Sequence, residues 1–278
     1  MKIKYLFLKK LFLPAGAAII ITGCILLTAC ASQGGQEAGD PYLRLMRQNG
    51  GEEFIGNSQG PRRLEDSPYN YELWSQSGND NRLIWYGPDY GGGGAFRAEW
   101  SNATVFLGRL GLFWNQGHPY SYYNNTFCDF TFTRSANGTA GGTSYIGIYG
   151  WSKNPMIEWY IVEDWYGEGV IGPNRIGGSA QKKGEFTVDG AVYFIYMATR
   201  PAGSGNIQGS REPFPQYFSV RQTTRRSGTI SISEHFKEWE RVGMPLGTNM
   251  YEAKFLVEAG SGTGWLDVSN LSFYQREE

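Results

Sequence analysis

Histidine and cysteine are nearly missing from this 278-residue chain, which holds two of the first and three of the second. His118 and His235 stand far apart in sequence, so neither a zinc site nor a Ser-His-Asp triad has the residues it needs. Cys24 falls in an N-terminal leader and Cys30 directly follows it, which leaves Cys128 without a partner in the domain. No disulfide is expected, and Cys128, alternating with polar residues in Thr126-Phe127-Cys128-Asp129-Phe130, reads as a half-buried thiol. Charge is scarce as well. Only 18% of residues are charged and the formal net charge is −1, which excludes the basic surface that nucleic acid requires. No motif for a metal or a cofactor is present, and none is expected.

Aromatic residues and glycine are abundant. Aromatics make up 15% of the chain, with nine Trp and 18 Tyr, beside 39 Gly. That composition favours twisted strands and tight turns over helices. From about Asp66 onward, strand-length aromatic segments recur between breakers at 91–94, 135–142 and 203–209, a spacing that suggests a sandwich or barrel. One segment has helical period, from Ser233 as N-cap to Gly243 at C′, with Phe236, Trp239 and Val242 as its docking stripe. Its charges read as a solvated face and His235 as structural.

The N-terminus reads as a targeting segment. Lys2, Lys4, Lys9 and Lys10 precede an apolar run from Leu11 to Ala29, which ends in Leu27-Thr28-Ala29-Cys30. Small residues before a cysteine resemble a bacterial lipobox, with Cys30 as the lipidated residue and Cys24 as a weaker second choice. An uncleaved anchor is the alternative. Either way the domain lies outside the cytoplasmic membrane, and Ala31 favours the outer membrane where one exists. Cleavage removes four lysines and no acids, so the net charge falls from −1 to −5. The expected organisation is a leader at 1–29, a flexible linker at 30–65 and one domain at 66–278.

Two glutamates stand out against apolar strands. Glu158 lies in Met156-Ile157-Glu158-Trp159-Tyr160-Ile161-Val162, and Glu258 in Tyr251-Glu252-Ala253-Lys254-Phe255-Leu256-Val257-Glu258. An ionised group there is unfavourable unless it has partners or a task. Strand alternation puts Met156, Glu158, Tyr160 and Val162 on one face and Ile157, Trp159 and Ile161 on the other. In the second segment Tyr251, Ala253, Phe255 and Val257 form the apolar face, opposite Glu252, Lys254, Leu256 and Glu258. Phe194, Tyr196, Ala198 and Arg200 share a face of a third strand, and Gln216 and Phe218 of a fourth. A sheet face rich in Tyr, Arg, Gln and Glu suits carbohydrate, whose rings stack on aromatics and whose hydroxyls need fixed partners. A plain solvent-facing sheet would carry Lys, Thr and Ser instead. Two such carboxylates on separate strands are what glycoside hydrolysis by double displacement requires.

The run Tyr149-Gly150-Trp151-Ser152-Lys153-Asn154-Pro155-Met156-Ile157-Glu158-Trp159-Tyr160 resembles the nucleophile strand of glycoside hydrolase family 11, the endo-β-1,4-xylanases. Gln216-Tyr217-Phe218-Ser219-Val220-Arg221, the Ser233 helix, Val257-Glu258 and Tyr71-Glu72-Leu73-Trp74 match further motifs in order, from about Tyr69 to Leu271. The resemblance implies an all-β jelly roll of two twisted antiparallel sheets with one α-helix and a cleft closed by a thumb hairpin over Pro201–Pro215. It implies Glu158 as nucleophile and Glu258 as acid/base. It also implies substrate contacts from Trp74, Tyr149, Trp151, Tyr160, Arg200, Ile207, Gln216 and Phe218. At close spacing one carboxyl pKa is expected to fall, that of Glu158, and the other to rise. The expected partner is xylan or a xylo-oligosaccharide, cleaved by a monomeric, lipid-anchored enzyme without cofactor. A related endo-β-1,4-glucanase and a non-catalytic carbohydrate-binding jelly roll are the alternatives.

Several positions depart from the family pattern. Ala259-Gly260 follows Glu258 in place of Gly-Tyr, and Gly205-Asn206-Ile207 replaces Pro-Ser-Ile in the thumb, predicting a more flexible tip. Phe218 stands for Trp, Lys153 for Arg, and Glu252 for a frequent Tyr. Val105 or Thr104 stands where an Asn or Asp normally meets the acid/base.

Overall fold

The computed structural model describes residues 39–139, 143–167 and 180–277. The leader at 1–29, the lipidation candidate Cys30 and the first part of the expected linker lie outside the described residues. Among the described residues no helix is long and apolar enough to cross a membrane.

Fifteen strands and two α-helices occupy the described residues. In chain order they are α1 (Pro41–Gln48), β1 (Glu52–Ile55), β2 (Ser58–Arg63), β3 (Tyr69–Ser75), β4 (Asn79–Trp85), β5 (Phe96–Ala103), β6 (Phe106–Phe113), β7 (Thr126–Arg134), β8 (Ser144–Lys153), β9 (Ile157–Asp164), β10 (Gln181–Val188), β11 (Ala191–Arg200), β12 (Phe214–Arg221), β13 (Ser227–Ser231), α2 (Ile232–Arg241), β14 (Asn249–Ala259) and β15 (Gly262–Gln275). One sheet has six strands in the order β1-β4-β5-β15-β7-β13. The other has nine, in the order β10-β11-β12-β9-β8-β14-β6-β3-β2. The pairs are antiparallel except β9 with β12, which run parallel. The all-β, two-sheet architecture is the jelly roll anticipated, with a second short helix and one parallel pair added.

The core follows from strand alternation. Ile157, Trp159 and Ile161 on β9, with Ala253, Phe255 and Val257 on β14, face the six-stranded sheet and are at most 1% exposed. Phe255 meets Phe130 and Phe132 of β7 at ring-centroid distances of 5.3 and 5.9 Å. Tyr251 departs from the expected parity. A register shift between Met250 and Glu252 in the β14–β8 pairing inserts one residue, so Met250 enters the core and Tyr251 joins the opposite face against Phe113. Gly150 permits close packing here, because a Cβ would lie 2.1 Å from the Glu252 carbonyl oxygen and 2.2 Å from the Trp159 ring. Cys128 is fully buried between the sheets rather than half-buried. It shares the inward face of β7 with Phe130 and Phe132, and burial pushes its thiol well above the ordinary range.

The expected linker is ordered from Pro41 onward, and the compact unit runs Pro41–Glu278. Its few apolar residues suffice because they dock on preformed sheets. Leu43 of α1 packs with Ile84, Tyr86 and Ala95, and Phe54 of β1 stacks on Tyr71 at 3.4 Å. β1 and β2 complete the sheet edges against β4 and β3.

Helix α2 begins before Ser233. The Ser233 hydroxyl donates to the Tyr123 carbonyl and accepts from the Thr126 amide, so it ties down a loop rather than capping. The C-terminus behaves as expected. Gly243 adopts φ +79°, its amide donates to Glu240 and the Met244 amide to Trp239, a Schellman pattern. Phe236 and Trp239 dock on Trp159 at 5.0 and 6.0 Å, and Val242 packs at the rim. His235 is buried among Phe186, Tyr193 and Trp239.

Candidate active site

The outer face of the nine-stranded sheet carries a second apolar cluster, built from Tyr145, Tyr149, Trp151, Tyr160, Val162, Tyr196, Phe218 and Leu256 among others. Strand β9 is therefore buried on both faces, which is why its sequence reads as a nearly continuous apolar run. The same face lines a cleft of about 500 Å³. Trp74, Tyr149, Trp151, Glu158, Tyr160, Arg200, Ile207, Gln216, Phe218 and Glu258 all line it, so the ten cleft residues expected from sequence converge on one site.

Register explains the convergence. Glu158 stands opposite Trp151 on β8 and Gln216 on β12, and Tyr160 opposite Tyr149 and Phe218. Glu258 on β14 pairs with Tyr145 on β8, two strands from β9. Glu158 is 7% exposed and accepts three hydrogen bonds. Tyr149 Oη donates to Oε1 at 2.9 Å, Tyr160 Oη to Oε1 at 3.0 Å, and Gln216 Nε2 to Oε2 at 2.6 Å. Trp151 Nε1 in turn donates to the Tyr149 hydroxyl. Tyr160 Oη also lies 3.3 Å from Glu258 Oε2. One hydroxyl thus touches both carboxyls, and the sum of the two contacts caps the separation of those oxygens at 6.3 Å.

Burial dominates the electrostatics. It pushes the Glu158 carboxyl above the ordinary carboxylate range, against the pull of Tyr149, Gln216, Tyr160 and the Arg200 charge. Burial, and after it the Glu158 charge, lifts Glu258 to about 7. The expected fall at Glu158 does not occur, because desolvation outweighs its donors. The asymmetry between the two remains: the single Tyr160 proton serves one carboxyl at a time and lies nearer Glu158, which has two further donors of its own, so the charge settles more readily on Glu158.

Trp74 is 42% exposed on β3, an aromatic face open to the cleft. The loop at 201–213 overhangs the site with Gly205, Asn206 and Ile207 in the lining. It is better held than its glycines predict. Gly203 and Arg211 join through a backbone hydrogen bond, and Asn206 Oδ1 accepts from the Gln208 and Ser210 amides at 2.9 and 3.2 Å. The register beside Glu258 is also resolved: Val105 lines the cleft, while Thr104 turns out to bond Ser77. Tyr145, Glu72 and Arg109 were missed as cleft residues. Tyr145 follows from the period-2 pattern of β8 through Tyr149 and Trp151, and it packs on Tyr160 and Phe218 at 5.2 and 5.7 Å. Arg109 carries the signal that marks the two glutamates, a lone charge among apolar strand residues in Phe106-Leu107-Gly108-Arg109-Leu110. Among the described residues no three His, Cys, Asp or Glu side chains gather as a metal site.

Comparison with known proteins converges on one group. Residues 66–269 match the family described as Glycosyl hydrolases family 11. The chain is 44% identical to endo-1,4-beta-xylanase C of Fibrobacter succinogenes over 77% of its own length and 32% of that protein's, so the match spans about a third of that relative. It is 39% identical to endo-1,4-beta-xylanase A of Bacillus pumilus, over 73% of this chain and 79% of the other. A solved structure of wild-type ENZbleach xylanase superimposes with a TM-score of 0.77 at 50% identity, covering 82% of this chain and 89% of that one.

Proposed function

The chain belongs to glycosyl hydrolase family 11, and on that premise we propose that it is an endo-β-1,4-xylanase acting by retaining double displacement. Glu158 attacks the anomeric carbon while Glu258 donates its proton to the departing oxygen. With Glu158 esterified, its negative charge is gone, and Glu258, now a carboxylate, takes a proton from water as the water oxygen bonds to the anomeric carbon and the bond to Glu158 breaks, restoring both carboxyls. The observation that carries the reading is the Tyr160 hydroxyl shared by both carboxyls. It keeps the facing oxygens of the two carboxyls within 6.3 Å, closer than the ~6.5–9.5 Å spacing with which an inverting pair admits water and compatible with the ~5–5.5 Å of a retaining pair.

Activity requires Glu158 ionised and Glu258 protonated. With Glu258 at about 7, kcat/KM falls as pH rises through that value, and it falls on the acid side as Glu158 gains a proton. Trp74 supplies a stacking platform, Gln216 and Tyr149 hold Glu158, Ile207 covers the bound chain from the loop, and Phe218 lies beneath it against Tyr160. The test is release of reducing ends from xylan and from carboxymethylcellulose by wild type, Glu158→Gln and Glu258→Gln. Cleavage of xylan alone, lost by about 10²–10⁴-fold in Glu258→Gln, supports the proposal. Cleavage of neither polymer sinks the enzyme reading, preferential cleavage of the cellulose derivative points to a glucanase, and a fully active Glu258→Gln removes the acid/base assignment.

The enzyme acts as a monomer outside the cytoplasmic membrane, held by lipid on Cys30. The Leu27-Thr28-Ala29-Cys30 segment supports this part of the proposal. Cys30→Ser would release the protein from the membrane fraction; unchanged retention would remove the lipid anchor.

A further inference from the structure

Four charged side chains, two in the floor of the cleft and two buried beneath it, meet there and take no part in the mechanism above. They are Glu72 on β3, Arg109 on β6, and Glu252 and Lys254 on β14. Arg109 lies 2.6 Å from Glu72 through a terminal nitrogen and 3.8 Å from Glu252 through Nε. Lys254 lies 2.6 Å from Glu252 and 3.5 Å from Glu72. Glu252 and Lys254 are wholly buried and Arg109 is 5% exposed.

Two positive and two negative charges cancel, so the group does not steer a charged substrate. Nor is it a well-optimised stabilising network. Burying ions is unfavourable unless every donor and acceptor is satisfied, and Arg109 Nε and Glu252 Oε1 are buried without a hydrogen-bond partner. Leucine serves elsewhere on the same face of the same strands, as Leu107 on β6 and Leu256 on β14, so an apolar solution was available.

The network reaches the reacting groups through Arg109. Its guanidinium carbon lies 4.8 Å from the centre of the Tyr149 ring. Tyr149 is 2% exposed, accepts a hydrogen bond from Trp151 and donates at 2.9 Å to Glu158. We infer that Arg109, clamped by Glu72 and Glu252, is a positioning residue that braces the Tyr149 ring so that its hydroxyl stays aimed at Glu158. The inference rests on Glu158 being the nucleophile. A planar guanidinium can bridge two carboxylates and lie against a ring at once, which an ammonium cannot. The brace matters most when the glycosyl-enzyme breaks down and the carboxylate re-forms, since a donor already in place needs no reorganisation.

Two variants test this in the full chain. Arg109→Lys keeps the charge and loses the plane, and the paired change Arg109→Gln with Glu72→Gln removes the clamp at constant net charge. The other groups facing Glu158, namely Tyr160, Gln216, Arg200 and Glu258, stay as they are. The readouts are ¹³C NMR titration of the glutamate carboxyls, and kcat and KM on xylo-oligosaccharide. In both variants kcat falls about tenfold with KM within about twofold, because misaiming a catalytic group acts on the transition state. In the same variants Glu158 titrates at higher pH, because its anion loses a well-aligned donor. Should the paired variant not fold, Arg109→Lys decides alone. Unchanged Glu158 titration in a folded variant overturns the inference, as does a rise in KM at constant kcat, which would make the floor a sugar-binding surface. If wild type cleaves no xylan while the Glu158 titration still moves, the activity reading fails and the brace stands.

Discussion

Replacing Tyr160 by Phe removes a single hydroxyl that touches both carboxyls. The ring should stay in place. It stacks on Phe218 at 4.7 Å with a 9° interplanar angle, and meets Tyr149 and Tyr145 at 4.9 and 5.2 Å. Glu158 then loses one of three donors, at 3.0 Å, and Glu258 loses its contact at 3.3 Å. A hydrogen bond to a charged group contributes about 1.5–3 kcal/mol, and about 1.36 kcal/mol corresponds to one pKa unit. Tyr149 and Gln216 remain, so the lower end applies, and the acid limb of kcat/KM should move up by about one pH unit. The Glu258 limb moves little, because the single Tyr160 proton is already given to Glu158 at the shorter distance. The profile therefore narrows from its acid side, with kcat reduced roughly 10- to 100-fold by loss of a preorganised donor. The assay is kcat/KM against pH on a soluble xylo-oligosaccharide, with Tm recorded alongside. A profile that stays fixed at near wild-type kcat, or that moves toward acid, refutes the argument, because it would mean that the hydroxyl does not stabilise ionised Glu158.

Trp74→Ala should raise KM about tenfold, the equivalent of about 1.4 kcal/mol of lost stacking, and leave Tm nearly unchanged because the residue is 42% exposed; an unaltered KM would remove Trp74 from the binding surface. Asn206→Ala frees the two amides that its side chain holds in the overhanging loop, and should raise KM severalfold without affecting Tm; an unchanged KM would show that the tip needs no such tie. His235 is wholly buried, and its pKa is lowered to about 3, first by burial and then by the charges of Arg225 and Arg221. The unfolded chain accepts a proton below the ordinary value of 6.5, whereas the native chain refuses it until about 3. Stability should therefore drop on acidification through that window, with a slope of up to about 1.4 kcal/mol per pH unit from this group. His235→Phe should flatten the dependence of Tm on pH in that range, and an identical dependence would disprove the assignment.

Much of this was legible in one dimension because the fold is made of strands. A period of two assigns each residue to a face without knowledge of the neighbours, and β9 and most of β14 obeyed it. The exception, Tyr251, lies at a bulge, where one inserted residue reverses parity; nothing local in Asn249-Met250-Tyr251 marks it. The segment from Pro41 to Arg63 looked like a spacer because it has few large apolar residues of its own. Leu43 and Phe54 find theirs on sheets made by distant sequence. Ser233 offered the right residue for a cap, but its hydroxyl was claimed by Tyr123 and Thr126, more than a hundred residues earlier.

By itself the sequence determined the strand-rich class, the two glutamates in apolar strands, and the aromatic face they share, because these depend on residue type and alternation. Tertiary structure decided what happens between strands. It set Gln216 against Glu158 through a parallel pairing, placed one tyrosine hydroxyl on both carboxyls, and drove Arg109 under Tyr149. It also decided the electrostatics. The number of donors around Glu158 suggested a lowered pKa, and only the depth of burial, which depends on the whole sheet and not on any single strand, reverses that sign.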